Sequence, residues 1–159
     1  MKNILIISAM LLVSNCVLAE DTIQRPATAI LDAPNHLTPE QEKSIQSIID
    51  RVDNARNAKA FLLVIDSLQD GQNILGYTKG IFKKWELNNY GEGLNYLIVY
   101  SRKDHAVRIE ASDKVIQIVT RDYLQSVTTD SMMPYFRKRQ DFEALKRGME
   151  MVALKIENN

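Results

Sequence analysis

The chain reads as a three-layer α/β/α sandwich, with a mostly parallel central sheet, helices on both faces and one antiparallel hairpin strand. Three observations predict it. Two continuous apolar runs, residues 60–65 and 94–100, have the length and character of strands buried on both faces. Segments with apolar residues at helical spacing alternate with them. A charged turn, Arg102-Lys103-Asp104-His105, links the second run to an alternating one, as a hairpin does. The resulting order is β-α-β-α-β-β-α-α, with strands and helices alternating through the first half.

The elements follow in order. Residues 20–29 are polar, contain Pro26 and read as an extended arm. Residues 29–32 form a short strand, broken by Ala33-Pro34-Asn35-His36. Thr38 caps the first helix, Pro39 takes its first position, and Gln41 completes a capping box. Ile45, Ile48, Ile49 and Val52 make its buried face. Asp66-Ser67 ends the central strand, and Asp70-Gly71 turns the chain into a second helix carrying Ile74, Tyr77, Ile81, Phe82 and Trp85. Gly76 and Gly80 cost that helix stability, and close packing on the sheet is the expected reason for them. From Lys114 the spacing is helical through Val127, with Asp113 as the expected cap. Pro134 interrupts, and a last helix opens at Asp141, its expected cap, and runs through Phe142, Leu145, Met149, Val152 and Ile156.

The N-terminus reads differently. Lys2, the apolar stretch from Ile4 to Val13 and Val17-Leu18-Ala19 together form a secretory leader over residues 1–19, cleaved after Ala19. The expected location is therefore the periplasm. Cleavage before Cys16, giving a lipid anchor, is the alternative. Cys16 is the sole cysteine, so the mature protein has no thiol chemistry. No later segment has the length of a membrane helix.

Several function classes are excluded or weakened. Lys plus Arg and Asp plus Glu both number 20, so no global field points to nucleic acid. His36 and His105 lack cysteine or histidine companions at zinc spacing. No Gly-x-Ser-x-Gly elbow and no Gly-rich phosphate loop is present. What remains is oxygen chemistry. The hairpin returns the chain to the end of the sheet where the second helix stops. Asn89, Glu92, Glu110, Asp113 and Asp122 thus converge on one shallow polar cleft, or else serve as caps and solvated loop charges. Glu110, Asp113 and Asp122 are the candidate ligands of a calcium or magnesium ion. Asp32, Asp66 and Asp104, at the opposite end, form a secondary candidate set.

A family resemblance accompanies this reading. Leu31-Asp32 with Leu37-Thr38, the strand ending Ile65-Asp66-Ser67-Leu68, and the second helix with Tyr77, Phe82, Trp85 and Leu87 occur in a particular order. Gly93-Leu94, Arg108-Ile109-Glu110, Thr120 with Pro134, Phe136-Arg137 and Asp141-Phe142 continue it. The set resembles the TPM domain of thylakoid-lumen, photosystem-associated and exported bacterial proteins, over residues 30–157. The resemblance implies an α/β/α sandwich, divalent-cation binding, acid phosphatase activity, and work on the assembly or repair of membrane complexes. Three stretches depart from the family pattern. Glu86, Leu87 and Asn88 follow Trp85 where the family has Gly-Ile-Gly, Ser112 replaces a glycine, and Arg121 replaces an aspartate. The functional expectation is an exported, soluble accessory domain of the cell envelope, binding a membrane or envelope protein and a divalent cation. A metal-assisted acid phosphatase is the alternative.

Overall fold

The computed structural model describes residues 23–159. The expected leader, with Cys16, lies outside them. Four strands form one sheet in the order β1-β2-β3-β4. They are β1 (Ile30–Asp32), β2 (Lys59–Ile65), β3 (Asn95–Ser101) and β4 (Ala106–Ala111). The first three run parallel, with Ile30 beside Leu62 and Phe61 beside Leu97. β4 returns antiparallel, with Ile98 opposite Ile109.

The continuous apolar run of β2 is explained by its two faces. Ala60, Leu62 and Val64 pack into the layer made by α1 (Pro39–Arg56) and α6 (Asp141–Glu157). Phe61, Leu63 and Ile65 pack into the layer made by α2 (Ile74–Lys84). Both sides exclude water, so no polar alternation survives. α1 starts as expected: the Thr38 side chain accepts from the Gln41 N–H, and the Gln41 side chain accepts from the Thr38 N–H at 2.9 Å.

β1, β2 and β3 step across the sheet in one direction, yet α1 and α2 lie on opposite faces. The two crossovers therefore have opposite hands, and one is the rare left-handed kind.

The segment after the hairpin is not one helix. It divides into α3 (Asp113–Ile118), α4 (Arg121–Ser126), a π-helical turn (Val127–Met132) and α5 (Met133–Phe136). The break falls at Val119, where ψ is 72°. Ile116, Ile118 and Val119 are β-branched and poor helix formers, and Thr120 competes as a new cap by accepting from the Tyr123 N–H. Two expected caps also shift by one residue. Ser112, not Asp113, caps α3, with its side chain accepting from the Val115 N–H. Gln140 precedes α6, and the Asp141 carboxylate is engaged elsewhere.

Gly76 and Gly80 do not pack on the sheet. Both are exposed; a methyl group at Gly80 would meet nothing within 4 Å, and one at Gly76 would meet just the Asn73 side chain. Close packing occurs instead at Gly148 of α6, whose missing side chain makes room for Met132.

Candidate binding cleft

The end of α2, the loop after it and the exit of β4 meet at one end of the sheet, as the hairpin requires. The Asn88 Nδ2 donates to Asp113 Oδ2 at 3.0 Å, and the Asp113 N–H donates to Asn88 Oδ1 at 2.9 Å. Lys114 Nζ donates to the Glu92 carbonyl at 2.6 Å. Buried Asn95, at the start of β3, uses its Nδ2 to hold the carbonyls of Leu87 and Tyr90 at 2.6 and 2.7 Å. Its N–H donates to Ser112 Oγ, which in turn donates to the Gly93 carbonyl. The loop is thus fastened to the sheet by side chains of both hairpin strands' ends.

α2 stops in a two-bond motif. The Leu87 N–H reaches the Phe82 carbonyl at 3.1 Å and the Glu86 N–H reaches the Lys83 carbonyl at 3.0 Å. Glu86 occupies the left-handed position, φ 55°, that glycine normally fills.

These elements enclose an open cleft of about 580 Å³, within the range of small-ligand and peptide sites. Lys79, Phe82 and Lys83 of α2 form one wall. Glu86, Asn88 and Asn89 close the end, and Glu110, Asp113 and Arg121 complete the lining. Glu110 is 9% exposed. Its Oε2 lies 3.7 Å from Arg108 Nη2 and its Oε1 lies 3.8 Å from Arg121 Nη1, both too long for hydrogen bonds. Among the described residues, Glu110 Oε2 has no hydrogen-bond partner.

Of the expected site residues, the structure brings Asn89, Glu110 and Asp113 to this cleft. Glu92 and Asp122 are not part of its lining; Asp122 sits in the first turn of α4. Lys79 and Lys83 escaped the sequence reading, although their i, i+4 spacing puts them on one face of α2. Arg121, noted there as a departure, becomes a wall residue beside Glu110.

A divalent cation needs several oxygen ligands, six to eight for calcium. Three carboxylates line the cleft: Glu110 stands between guanidinium groups, Asp113 already accepts from Asn88, and Glu86 sits at the closed end. Among the described residues no three of His, Cys, Asp and Glu are grouped to hold a metal ion. The residues present do not fit a ready-made cation cage.

The opposite end carries the secondary set. Asp32 Oδ2 accepts from the Leu37 N–H at 2.6 Å. Asp66 pairs with Arg102 at 2.5 Å and with Lys103. Hydrogen bonds from Lys103, then from Arg102, hold its carboxyl below the usual range. Asp104 accepts from Ser101 Oγ and the Leu68 N–H, and these two bonds, in that order, lower its pKa as well. His36, remote from other histidines in sequence, donates to Asp141 Oδ2 at 3.0 Å, and Tyr100 donates to the same oxygen at 2.8 Å. Burial, then that bond, pushes the Tyr100 hydroxyl above its usual pKa. Each of these groups is tied into the fold.

The comparisons agree with the geometry. The family model of the TPM domain matches residues 30–154. The chain belongs to the TPM domain family. The TPM fold also appears in three solved structures. The N-terminal domain of a P. gingivalis protein gives a TM-score of 0.76 at 18% identity, covering 82% of this chain and 83% of its own. The BA42 protein of Bizionia argentinensis gives 0.66 at 17% identity, covering 80% and 86%. The N-terminal domain of the cg2496 protein of Corynebacterium glutamicum gives 0.64 at 14% identity, covering 80% and 79%. At such identities the likeness is one of fold. No curated protein matches the chain. Among the described residues, no helix of this TPM domain is long and apolar enough to cross a membrane.

Proposed function

We propose that this TPM domain is an exported accessory module of the cell envelope that binds a segment of a partner protein in the cleft between α2 and β4. One observation carries the reading. Apolar Phe82 lines the cleft together with the cations of Lys79, Lys83 and Arg121. Phe82 offers apolar contact, while Lys79, Lys83 and Arg121 offer donors to carbonyl or carboxylate oxygens. A polypeptide supplies both kinds of group along its backbone.

A photo-crosslinking residue at Lys83 tests this in cells, with Lys43 on α1 as the control position. The expected outcome is a discrete envelope-protein adduct at Lys83 that is absent at Lys43 and lost with Glu110→Ala. Identical adducts at both positions end the reading. Titration with calcium, magnesium and EDTA forms a separate arm. Saturable stabilisation that disappears in Glu110→Ala and Asp113→Ala would return a cation to this site, since a ligand at 100 times its Kd adds about 2.7 kcal/mol.

A second reading, metal-assisted phosphoester hydrolysis, has one observation in its favour: Lys79, Lys83 and Arg121 line the same cleft and suit phosphoryl oxygens. Phosphoester turnover that is unchanged in Arg121→Ala and Glu110→Ala removes it from this site.

A further inference from the structure

Residues 23–25 lie ahead of the family domain, yet they touch both ends of the segment that closes the cleft. The Trp85 indole N–H donates to the Ile23 carbonyl at 3.1 Å. Arg25 Nη1 donates to the Trp85 carbonyl at 2.9 Å. The same guanidinium lies 3.8 Å from the centroid of the Tyr90 ring. Ile23 packs against the α2-side core, where Trp85 is 2% exposed. Trp85 is also the C-terminal cap of α2, so the Arg25 charge sits at the favourable end of a helix.

Between Trp85 and Tyr90 stand Glu86, Asn88 and Asn89, the residues that end the cleft. Their backbone includes the left-handed Glu86, a conformation that persists where surrounding contacts impose it. From inside the sheet Asn95 holds Leu87 and Tyr90. From outside the arm holds Trp85 and Tyr90.

We propose that the arm is a strap that regulates the cleft: with residues 23–25 docked, the wall at residues 86–89 is fixed for binding, and with them released the wall loosens. The proposal rests on the reading of the cleft as a binding site. Among the described residues, two hydrogen bonds, one cation–π contact and one apolar side chain hold the strap.

Hydrogen exchange on the intact protein, comparing Arg25→Ala with the parent, is the test. The expected result is exchange about tenfold faster at residues 86–90, the opening expected when contacts of this size are removed, with β3 unchanged. Trp85 is the chain's single tryptophan, so acrylamide quenching of its fluorescence reports release of the arm directly. Increased quenching with unaltered exchange at residues 86–90 overturns the proposal. So does faster exchange spread equally over β3, which would mark general destabilisation, and so does no change in either readout. Arg25→Lys, which keeps a cation over Tyr90, should fall between parent and Arg25→Ala. Neither readout needs a cleft ligand, so failure of the strap leaves the cleft reading standing, and a cleft without a partner leaves the strap standing.

Discussion

Asn88 and Asp113, 25 residues apart, exchange two hydrogen bonds: the amide of Asn88 donates to the carboxylate of Asp113 and accepts from its N–H. This pair ties the end of α2 to the start of α3 and sets the width of the cleft mouth. Asn88→Ala should cost about 1 kcal/mol, as should Asp113→Ala, because the bonds are solvent-exposed. The double variant should cost less than the sum, since the two residues share their bonds. Urea unfolding of the four proteins decides it; strict additivity would mean that the pair is independent in solution.

Asn95 is the more severe position. Its side chain is buried and serves two carbonyls of the cleft loop. Asn95→Leu leaves both acceptors without that donor and should lower stability by about 3 kcal/mol. A loss below about 1 kcal/mol, read from the denaturation midpoint, would show that the loop is held by other means.

Glu86 holds a conformation in which a side chain is disfavoured by roughly 1–2 kcal/mol. Glu86→Gly relieves it and should raise stability by up to about 1 kcal/mol, the flexibility of glycine in the unfolded chain offsetting the rest. A lowered thermal midpoint would mean that the Glu86 carboxylate contributes more than its backbone costs.

Two glycines should respond in opposite directions to alanine. Gly80 faces open space on α2, so Gly80→Ala should stabilise by about 1 kcal/mol through helix propensity alone. At Gly148 the new methyl would sit 2.5 Å from Met132 Sδ, inside a fully buried neighbourhood. Overpacking costs about 1–3 kcal/mol, which exceeds or cancels the same helix gain. Calorimetry of both variants checks the sign; stabilisation of equal size at both positions would contradict the packing around Met132.

Acid should weaken the end of the sheet opposite the cleft. Asp66 and Asp104 titrate below the ordinary 3.8 in the folded protein. The unfolded chain therefore takes up protons first as pH falls. The stabilisation is complete above the ordinary carboxylate value and is lost below about pH 4, as pH passes through the lowered values. Both groups are exposed, so salt should shrink the effect. Denaturation from pH 6 to pH 2.5 should show a shallower decline in Asp66→Asn than in the parent; parallel curves would remove these ion pairs from the account.

Much of this fold was legible because local signals agreed with the tertiary outcome. Thr38, Pro39 and Gln41 specify a helix start without outside help. The apolar run 60–65 specifies a strand covered on both sides. The expected opening of the last helix at Asp141 also holds. Other features depend on distant partners. The Asp141 carboxylate joins His36, 105 residues away, and Tyr100 rather than capping its own helix. Gly76 and Gly80 looked like packing residues because glycine in a helix usually has that reason, and nothing local says which face of α2 meets the sheet. The opposite hands of the two crossovers run against the usual preference, so periodicity could place helices on both faces but not say by what route. In the cleft, carboxylates attracted attention as oxygen donors. Arg108 stands two residues before Glu110 on the same face of β4, while Arg121 comes from the separate helix α4, and its approach to Glu110 is a product of the folded chain.

The pairing of α1 with α6 has a consequence for how the molecule comes into being. Arg51 of α1 pairs with Glu150 and Glu157 of α6, and Leu145, Met149, Val152 and Ile156 complete the layer over Leu62, Val64, Tyr96 and Ile98. A growing polypeptide that has reached residue 140 already contains the four described strands and α1 but lacks α6, which shares the cover of that face. The part of that face under α6 stays open to water, and to any chaperone that reads exposed apolar surface, until that helix arrives. Closure of the domain thus waits for α6.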